Sequence, residues 1–375
     1  MSFEVKGWCP GALRPMLSGD GYVVRVRPRL AQLSVDQVLG LCSAAEEHGA
    51  GLVDLTNRAN LQLRGVTQAA LPYLLAELTE LDLIDPDVET ETRRNIVTAP
   101  TWADGGDTHR LASELMARLS ELPALPPKMG FAIDAGPGPV LRDVPSDFRI
   151  ERSRQRGLIL RPEGLGMGIP LAPGQEIDTL IRLCHWFIES GGAEAGRMAR
   201  HEAPLPGWAE QSLAPAPRRE ALRSGPHALG TVLGCAFGQV KASDLATAVV
   251  ESEARALRVT PWRAVLLVDG RPGPREGLVW EADTPSLRVD ACPGAPFCPQ
   301  STVETRALAL ALAPHVPGRL HVSGCAKGCA RPASADVVIV GENGAYGVAK
   351  NARAGDPLTQ HGLSAEDVLA QFGAK

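Results

Sequence analysis

Four cysteines late in the chain constrain its fold more than any other feature. They stand as Cys292-Pro-Gly-Ala-Pro-Phe-Cys298 and, 27 positions on, Cys325-Ala-Lys-Gly-Cys329, a C-x5-C pair followed by a C-x3-C pair. Glycine and proline between the thiols let backbone amides approach sulfur, so the two segments read as ligand loops that the fold must bring together. Four thiolates in that setting suit an iron-sulfur cluster. Zinc is the competing metal, although structural zinc sites favour tighter C-x2-4-C knuckles. Cys9, Cys42, Cys184 and Cys235 stand alone and read as small buried residues, Cys42 on the apolar face of a helix.

The chain has 375 residues, enough for two or three domains each with its own core. A formal net charge of −5 supplies no overall field for nucleic acid or an anionic membrane. The apolar run 307–313 is far shorter than the roughly 20 residues a spanning helix needs. The opening MSFEVKGWCPGALRP lacks the apolar core of a signal peptide, so a reducing, cytoplasmic location is expected.

Alternation over 21–27 predicts a strand with Arg25 and Arg27 on one face. Ser34-x-x-Gln37 is a capping box that opens a helix closed by Gly49. Strands at 52–55 and 61–64 flank the loop 56–60, and a helix follows over 71–81. Further on, strands are expected at 93–99 and 129–134 and helices at 109–122 and 176–190. The Pro-rich, charged stretch 202–227 reads as a linker. The pattern then recurs. Gln32-Leu-Ser-Val-Asp-Gln returns as Gln239-Val-Lys-Ala-Ser-Asp, and Leu55-Thr-Asn-Arg as Val259-Thr-Pro-Trp-Arg, which sets Arg263 against Arg58. Ile96-Val-Thr-Ala-Pro parallels Val289-Asp-Ala-Cys-Pro. Two homologous halves are implied. Between the cysteine pairs, Ser301-x-x-Glu304 predicts a helix running to Ala313, and 341–344 reads as a turn after a strand at 337–340. No G-x-G-x-x-G follows a strand, so an NADH site of that kind is not expected.

The segments ACPGAPFCPQSTVET and HVSGCAKGC resemble the 4Fe-4S motif of the siroheme-dependent sulfite and nitrite reductases. TNRANLQLRG (56–65) and RRNIVTAP (93–100) resemble the anion- and macrocycle-binding segments of the same superfamily. Within it, WCPGALRPMLSGDGYVVRVRP (8–28), CPGAP and the modest length are most similar to the precorrin-3B synthases of aerobic cobalamin biosynthesis. The resemblance implies an α+β fold with a duplicated nitrite/sulfite reductase-like architecture, in which two ferredoxin-like modules and two mixed α/β modules are related by a pseudo-twofold. The expected modules are 1–80 (ferredoxin-like), 84–201 (mixed α/β), 228–280 (ferredoxin-like) and 285–375 (4Fe-4S-binding), with 202–227 as the linker.

The same resemblance implies an iron-sulfur monooxygenase that hydroxylates precorrin-3A at C20 with dioxygen and closes a γ-lactone. Its cluster ligands would be Cys292, Cys298, Cys325 and Cys329, with a mononuclear non-haem iron associated and electrons supplied by a separate ferredoxin or NADH-linked reductase. Arg25, Arg27, Arg58, Arg64, Arg94 and Lys128 are the expected substrate-binding residues, because guanidinium forks suit a polycarboxylate. The catalytic acid or base is not assigned, and His321, four residues before Cys325, is a further candidate near the metal. In the reductases two Arg and a Lys-x-Lys pair surround a small anion. Here Arg58, Arg94 and Lys128 resemble three of those positions and Gly130 stands at the fourth. The alternatives are a siroheme-dependent sulfite or nitrite reductase and a non-catalytic iron-sulfur electron carrier or sensor.

Overall fold

The computed structural model describes residues 11–374; the expectation for Cys9 lies outside them. Two pairs of five-stranded sheets repeat the same plan. In one pair, the order is Met16–Ser18, Gly21–Val26, Leu61–Val66, Leu52–Leu55, Gln239–Lys241, matched by Gly225–His227, Gly230–Gly234, Ala264–Val268, Ala256–Val259, Gln32–Ser34. Every pairing in these two sheets is antiparallel. Each therefore takes its last strand from the other half of the chain.

The exchange welds the halves. Helix Val35–His48 follows one exchanged strand and helix Ala242–Glu251 follows the other, and Val38, Leu41, Cys42 and Ala45 share a single core with Leu245, Ala248 and Val249. The capping box at Ser34 forms as expected, its hydroxyl accepting from the Gln37 amide while the Gln37 side chain accepts from the Ser34 amide.

The second pair of sheets is mixed. Ile96–Thr98, Phe131–Asp134 and Phe148–Arg152 run parallel, then Leu158–Pro162 and Ile169–Pro170 turn antiparallel. Val289–Ala291, Leu320–Ser323 and Ala335–Glu342 run parallel in the same way, followed by antiparallel Ala345–Ala352 and Gln360–Leu363. Asn343 and Gly344, both at positive φ, close the hairpin where a turn is expected. This is the duplicated α+β architecture.

Three elements differ from the sequence reading. Residues 93–99 are not one strand: helix Val88–Arg93, capped by the Asp87 carboxylate accepting from the Thr90 amide, precedes the short strand Ile96–Thr98. The helix expected from Ser301 begins only at Arg306. Ser301 Oγ donates to the Val303 carbonyl and Thr305 Oγ1 to that of Cys292, so both hydroxyls hold the cysteine loop rather than cap the helix. The stretch 202–227 ends in the strand Gly225–His227, and bridges at Leu213 and Pro215 bind it to the first mixed sheet.

Arg258 fastens the two halves at another point. It is buried, stacks on the Trp102 ring at 3.5 Å, and donates to the carbonyls of Pro100 and Trp102 at 2.9 and 2.7 Å. Arg258→Met removes the donors and leaves two carbonyls unpaired, so a loss of about 3 kcal/mol is expected in chemical denaturation. An unchanged midpoint and slope would show that this contact is not a clamp.

Candidate functional site

Parallel pairing places the two cysteine loops side by side. Val289–Ala291 and Leu320–Ser323 are neighbours, joined by a crossover through helix Arg306–Leu312, so the loops leave from the same carboxyl-terminal edge. The Gly324 amide points at Cys292 Sγ, 3.2 Å away. A Cβ on Gly324 would meet Ser301 Oγ at 2.1 Å, so only glycine allows this approach. Ser323 Oγ donates to the Cys325 carbonyl at 2.7 Å, and the Cys298 amide donates to that of Gly294 at 2.8 Å. Both loops are held from within.

The thiols form one electrostatic group. Desolvation raises the Cys329 pKa, Lys327 opposes it, and Cys292, Cys325 and Cys298 reinforce it as like charges. Among the described residues, the single trio of Cys, His, Asp or Glu with ligand atoms all within 4.8 Å is Glu47, His48 and Glu77. No three of the four sulfurs are that close. A tetrahedral zinc with bonds of about 2.3 Å needs its sulfurs about 3.8 Å apart. A cubane puts each thiolate on a different iron, so its ligands need not come that close.

A cavity extends from these loops along the junction of the halves. Its middle recess, 340 Å³, is bordered by Arg25, Asp54, Arg64, Arg263, Arg306 and the thiols Cys292 and Cys329. A 210 Å³ recess shares Arg25, Thr56 and Asn57 with it and adds Arg58, Lys128 and Arg197. On the other side, a 390 Å³ recess shares Phe237, Pro261 and Arg263 and adds Asp290 and Arg319.

The expected binding residues divide. Arg25, Arg58, Arg64 and Lys128 line this cavity, Arg58 reaching the Lys128 carbonyl at 3.0 Å. Arg64 also spends its fork on Asp20, with both contacts at 3.0 Å. Arg27 and Arg94 line none of these recesses. They converge on the buried Glu91, at 2.8 and 2.6 Å, because helix Val88–Arg93 replaces the expected start of the strand and turns Glu91 inward. Missed in the sequence were Arg197, Arg263, Arg306 and Arg319, together with the carboxyls Asp54 and Asp290. The internal repeat already marked Arg263 as the counterpart of Arg58.

Asp290 forms a charged node under the loops. Its carboxylate meets Arg263 and Arg319 at 2.7 Å each and Arg331 at 3.5 Å. His321 is its partner on the next strand. The His321 ring is fully buried, and neither nitrogen has a protein partner. Cys42, Cys184 and Cys235 are buried, as their isolated positions imply, and burial raises their thiol pKa values.

Comparison with known proteins places this architecture. Residues 14–81 match the nitrite/sulfite reductase ferredoxin-like half domain. The solved structure of Mycobacterium tuberculosis NirA has the same fold, with a TM-score of 0.55 at 17% identity over 92% of this chain and 78% of that one. A ferredoxin–nitrite reductase from Synechococcus elongatus is 23% identical over 88% of this chain and 77% of its own. The chain is thus a member of the nitrite/sulfite reductase superfamily of oxidoreductases. A precorrin-3B synthase from Sinorhizobium sp is 30% identical over 93% of this chain and 83% of its own length. Within the superfamily, the chain belongs to the precorrin-3B synthase family. No helix among the described residues is long and apolar enough to cross a membrane.

The buried imidazole makes a pH prediction. Desolvation lowers the His321 pKa to about 4, with Asp290 opposing and Arg331, Arg263 and Arg319 reinforcing. A depressed folded value means that neutral His321 favours folding fully above about 6.5, and that this contribution is lost as pH falls toward 4. Between pH 7 and pH 5, the linkage costs about 2 kcal/mol. His321→Leu should flatten the acid side of stability against pH by that amount in urea titrations; an unchanged profile would refute the burial of a neutral ring.

Proposed function

We propose that this protein is an iron-sulfur monooxygenase that hydroxylates precorrin-3A at C20 and closes the ring A acetate as a γ-lactone. The observation that carries the reading is one cavity in which Arg25, Arg263 and Arg306 face Cys292 and Cys329. Cationic side chains come to it from both halves of the chain. Such a lining suits a large polycarboxylate that lies across the junction, since each guanidinium holds a carboxylate by charge-assisted bonds. Membership of the precorrin-3B synthase family supports the same substrate class.

Cys292, Cys298, Cys325 and Cys329 would hold a 4Fe-4S cluster, which when bound passes electrons one at a time. Gly324 fixes Cys292 through its amide, and Ser323 fixes the turn at Cys325. Arg58 and Lys128 would hold one end of the substrate, and Arg263 and Arg319 the other. For a mononuclear iron, no three Cys, His, Asp or Glu ligand atoms among the described residues of the cavity lie within 4.8 Å of one another, and no step is assigned to it. Electrons would come from a separate ferredoxin or NADH-linked reductase, in the cytoplasm.

A siroheme reductase is the second reading, and Gly130 argues against it. A Cβ there would fall 2.8 Å from Asn95 Nδ2 and 2.9 Å from the Asn95 carbonyl, so no lysine can stand at the fourth cationic position. Two unit charges about 4 Å apart interact by roughly 4 kcal/mol at an effective dielectric near 20, so a small anion would be held less well. The length and duplicated plan exceed what a simple electron carrier needs.

Purified without oxygen, the protein should carry iron and acid-labile sulfide but no tightly bound sirohaem. Incubation with precorrin-3A and a reductant, followed by admission of oxygen, should yield a product heavier by one oxygen atom. Cys325→Ser should abolish both iron content and turnover, while Arg263→Ala should weaken precorrin-3A binding about tenfold, the loss of one charge-assisted contact. Zinc at the thiols, or full activity of Cys325→Ser without iron, would overturn the reading; a Soret band with nitrite or sulfite reduction would establish the second one.

A further inference from the structure

We propose that Asp54 is the carboxyl that delivers protons into the cavity during turnover, an assignment that rests on the monooxygenase reading above. Asp54 lies on the strand Leu52–Leu55, paired with Gln62 on one side and with Gln239 of the exchanged strand on the other. Its side chain is nearly buried, yet it lines the same 340 Å³ recess as Cys292 and Cys329.

Its partners leave it room to hold a proton. Asp54 Oδ1 accepts from Gln239 Nε2 at 2.6 Å, so its closest contact is a neutral amide. The Arg64 guanidinium stands 3.7 Å from Oδ2 and is committed to Asp20 by two shorter bonds. Arg306, from the crossover helix, donates to the Gln239 side-chain oxygen. Burial raises the Asp54 pKa; Arg306, Arg64 and Gln239 oppose the shift and Asp20 adds to it.

The internal symmetry makes the choice of residue informative. Gln32 pairs with Arg258 as Gln239 pairs with Asp54, on the corresponding strands of the two sheets. At Arg258 the position carries a guanidinium that bonds Gln32 at 2.9 Å and clamps the carbonyls of Pro100 and Trp102. The same place in the half that faces the cysteine loops carries a carboxyl. Ionised, it would oppose binding of a polycarboxylate among arginines; protonated, it would not. Ionised, it compensates the buried Arg306, so both of its forms have a place in the cavity.

The reaction uses the protonated form. Inserting one oxygen atom of dioxygen into a C–H bond follows RH + O2 + 2 electrons + 2 protons → ROH + H2O. The external protein donor provides the electrons. Asp54 would give one of the two protons as its O–H bond breaks and regain it from solvent, which also supplies the second; both leave in the water formed.

The test is Asp54→Asn in the full-length, cluster-loaded protein, an exchange that keeps size and a hydrogen bond to Gln239. Turnover of precorrin-3A should fall by about 10²–10⁴-fold, the usual worth of a positioned acid. Iron content should stay constant, and precorrin-3A affinity, followed by absorbance, should hold or tighten. Wild-type activity should decline as pH rises through the Asp54 pKa, Asp54→Asn should lack that limb, and Asp54→Glu should recover part of the rate. Unchanged turnover and pH profile in Asp54→Asn would overturn the assignment, as would loss of iron or of substrate binding alongside the rate. If the wild-type protein does not hydroxylate precorrin-3A, the monooxygenase reading falls and takes this role with it; an active wild type with an equally active variant removes the role alone.

Discussion

The exchange of one strand between the halves is the constraint on which the rest of the molecule depends. A five-stranded antiparallel sheet completed by the other half cannot form until both halves are present, so the two hydrophobic faces become one core. The exchanged strand does more than close an edge. It brings Gln239 between Asp54 of the first half and Arg306 of the crossover helix, and so ties the floor of the cavity to the element that separates the cysteine loops. Geometry at the site is therefore inherited from the junction and not from either half.

Charge within that junction is unevenly balanced. Some arginines are already committed: Arg27 and Arg94 to Glu91, Arg64 to Asp20. Asp290 is one carboxylate among Arg263, Arg319 and Arg331, which leaves the node beneath the cysteine loops net positive. Such an excess is costly in a desolvated place unless an anion arrives there. Burial lowers the pKa of Arg263 and of Arg306, the cost seen from the side of the cation, while Asp290 and Asp54 respectively are their leading compensations. A polyanionic ligand relieves both.

Much of this was legible in the sequence where the signal is local. The capping box at Ser34, the strand through Arg25 and the Asn343-Gly344 turn depend on neighbours a few positions away, and they form as read. The cysteine spacing identified two loops meant to meet. What failed was local pattern with a distant competitor. Ser301-x-x-Glu304 has the spacing of a cap, but Ser301 and Thr305 turn to the cysteine loop instead. Alternation sets Arg27 on the face of Arg25, but the strand ends at Val26 and a Glu91 that only tertiary structure brings near takes the charge of Arg27. Asp54 and Arg306 gave no signal, because each gains its meaning from a strand some 185 residues from Asp54 in the chain.

The two mixed modules show how far a shared plan can diverge. Ile96 pairs with Phe131 as Val289 pairs with Leu320, so counting along equivalent strands sets Ala99 opposite Cys292 and Gly136 opposite Cys325. The first half thus has the loops without the thiols. It stabilises them by other means: the Asp134 carboxylate, equivalent in register to Ser323, accepts from the amides of Val140 and Leu141 at 2.7 Å, and Arg258 clamps the carbonyls of the opposite loop. Side-chain anchors in one half stand where the thiols stand in the other. A loop that need only be rigid can be tied by a carboxylate and a guanidinium. The cysteine loops are tied by the Thr305 and Ser323 hydroxyls and, at their borders, by Arg263, which donates to the carbonyls of Val289 and Ala330, and glycine at 324 allows the close approach to Cys292. The asymmetry of Asp54 and Arg258 follows the same division, with the charged group facing the cavity on one side and serving the scaffold on the other.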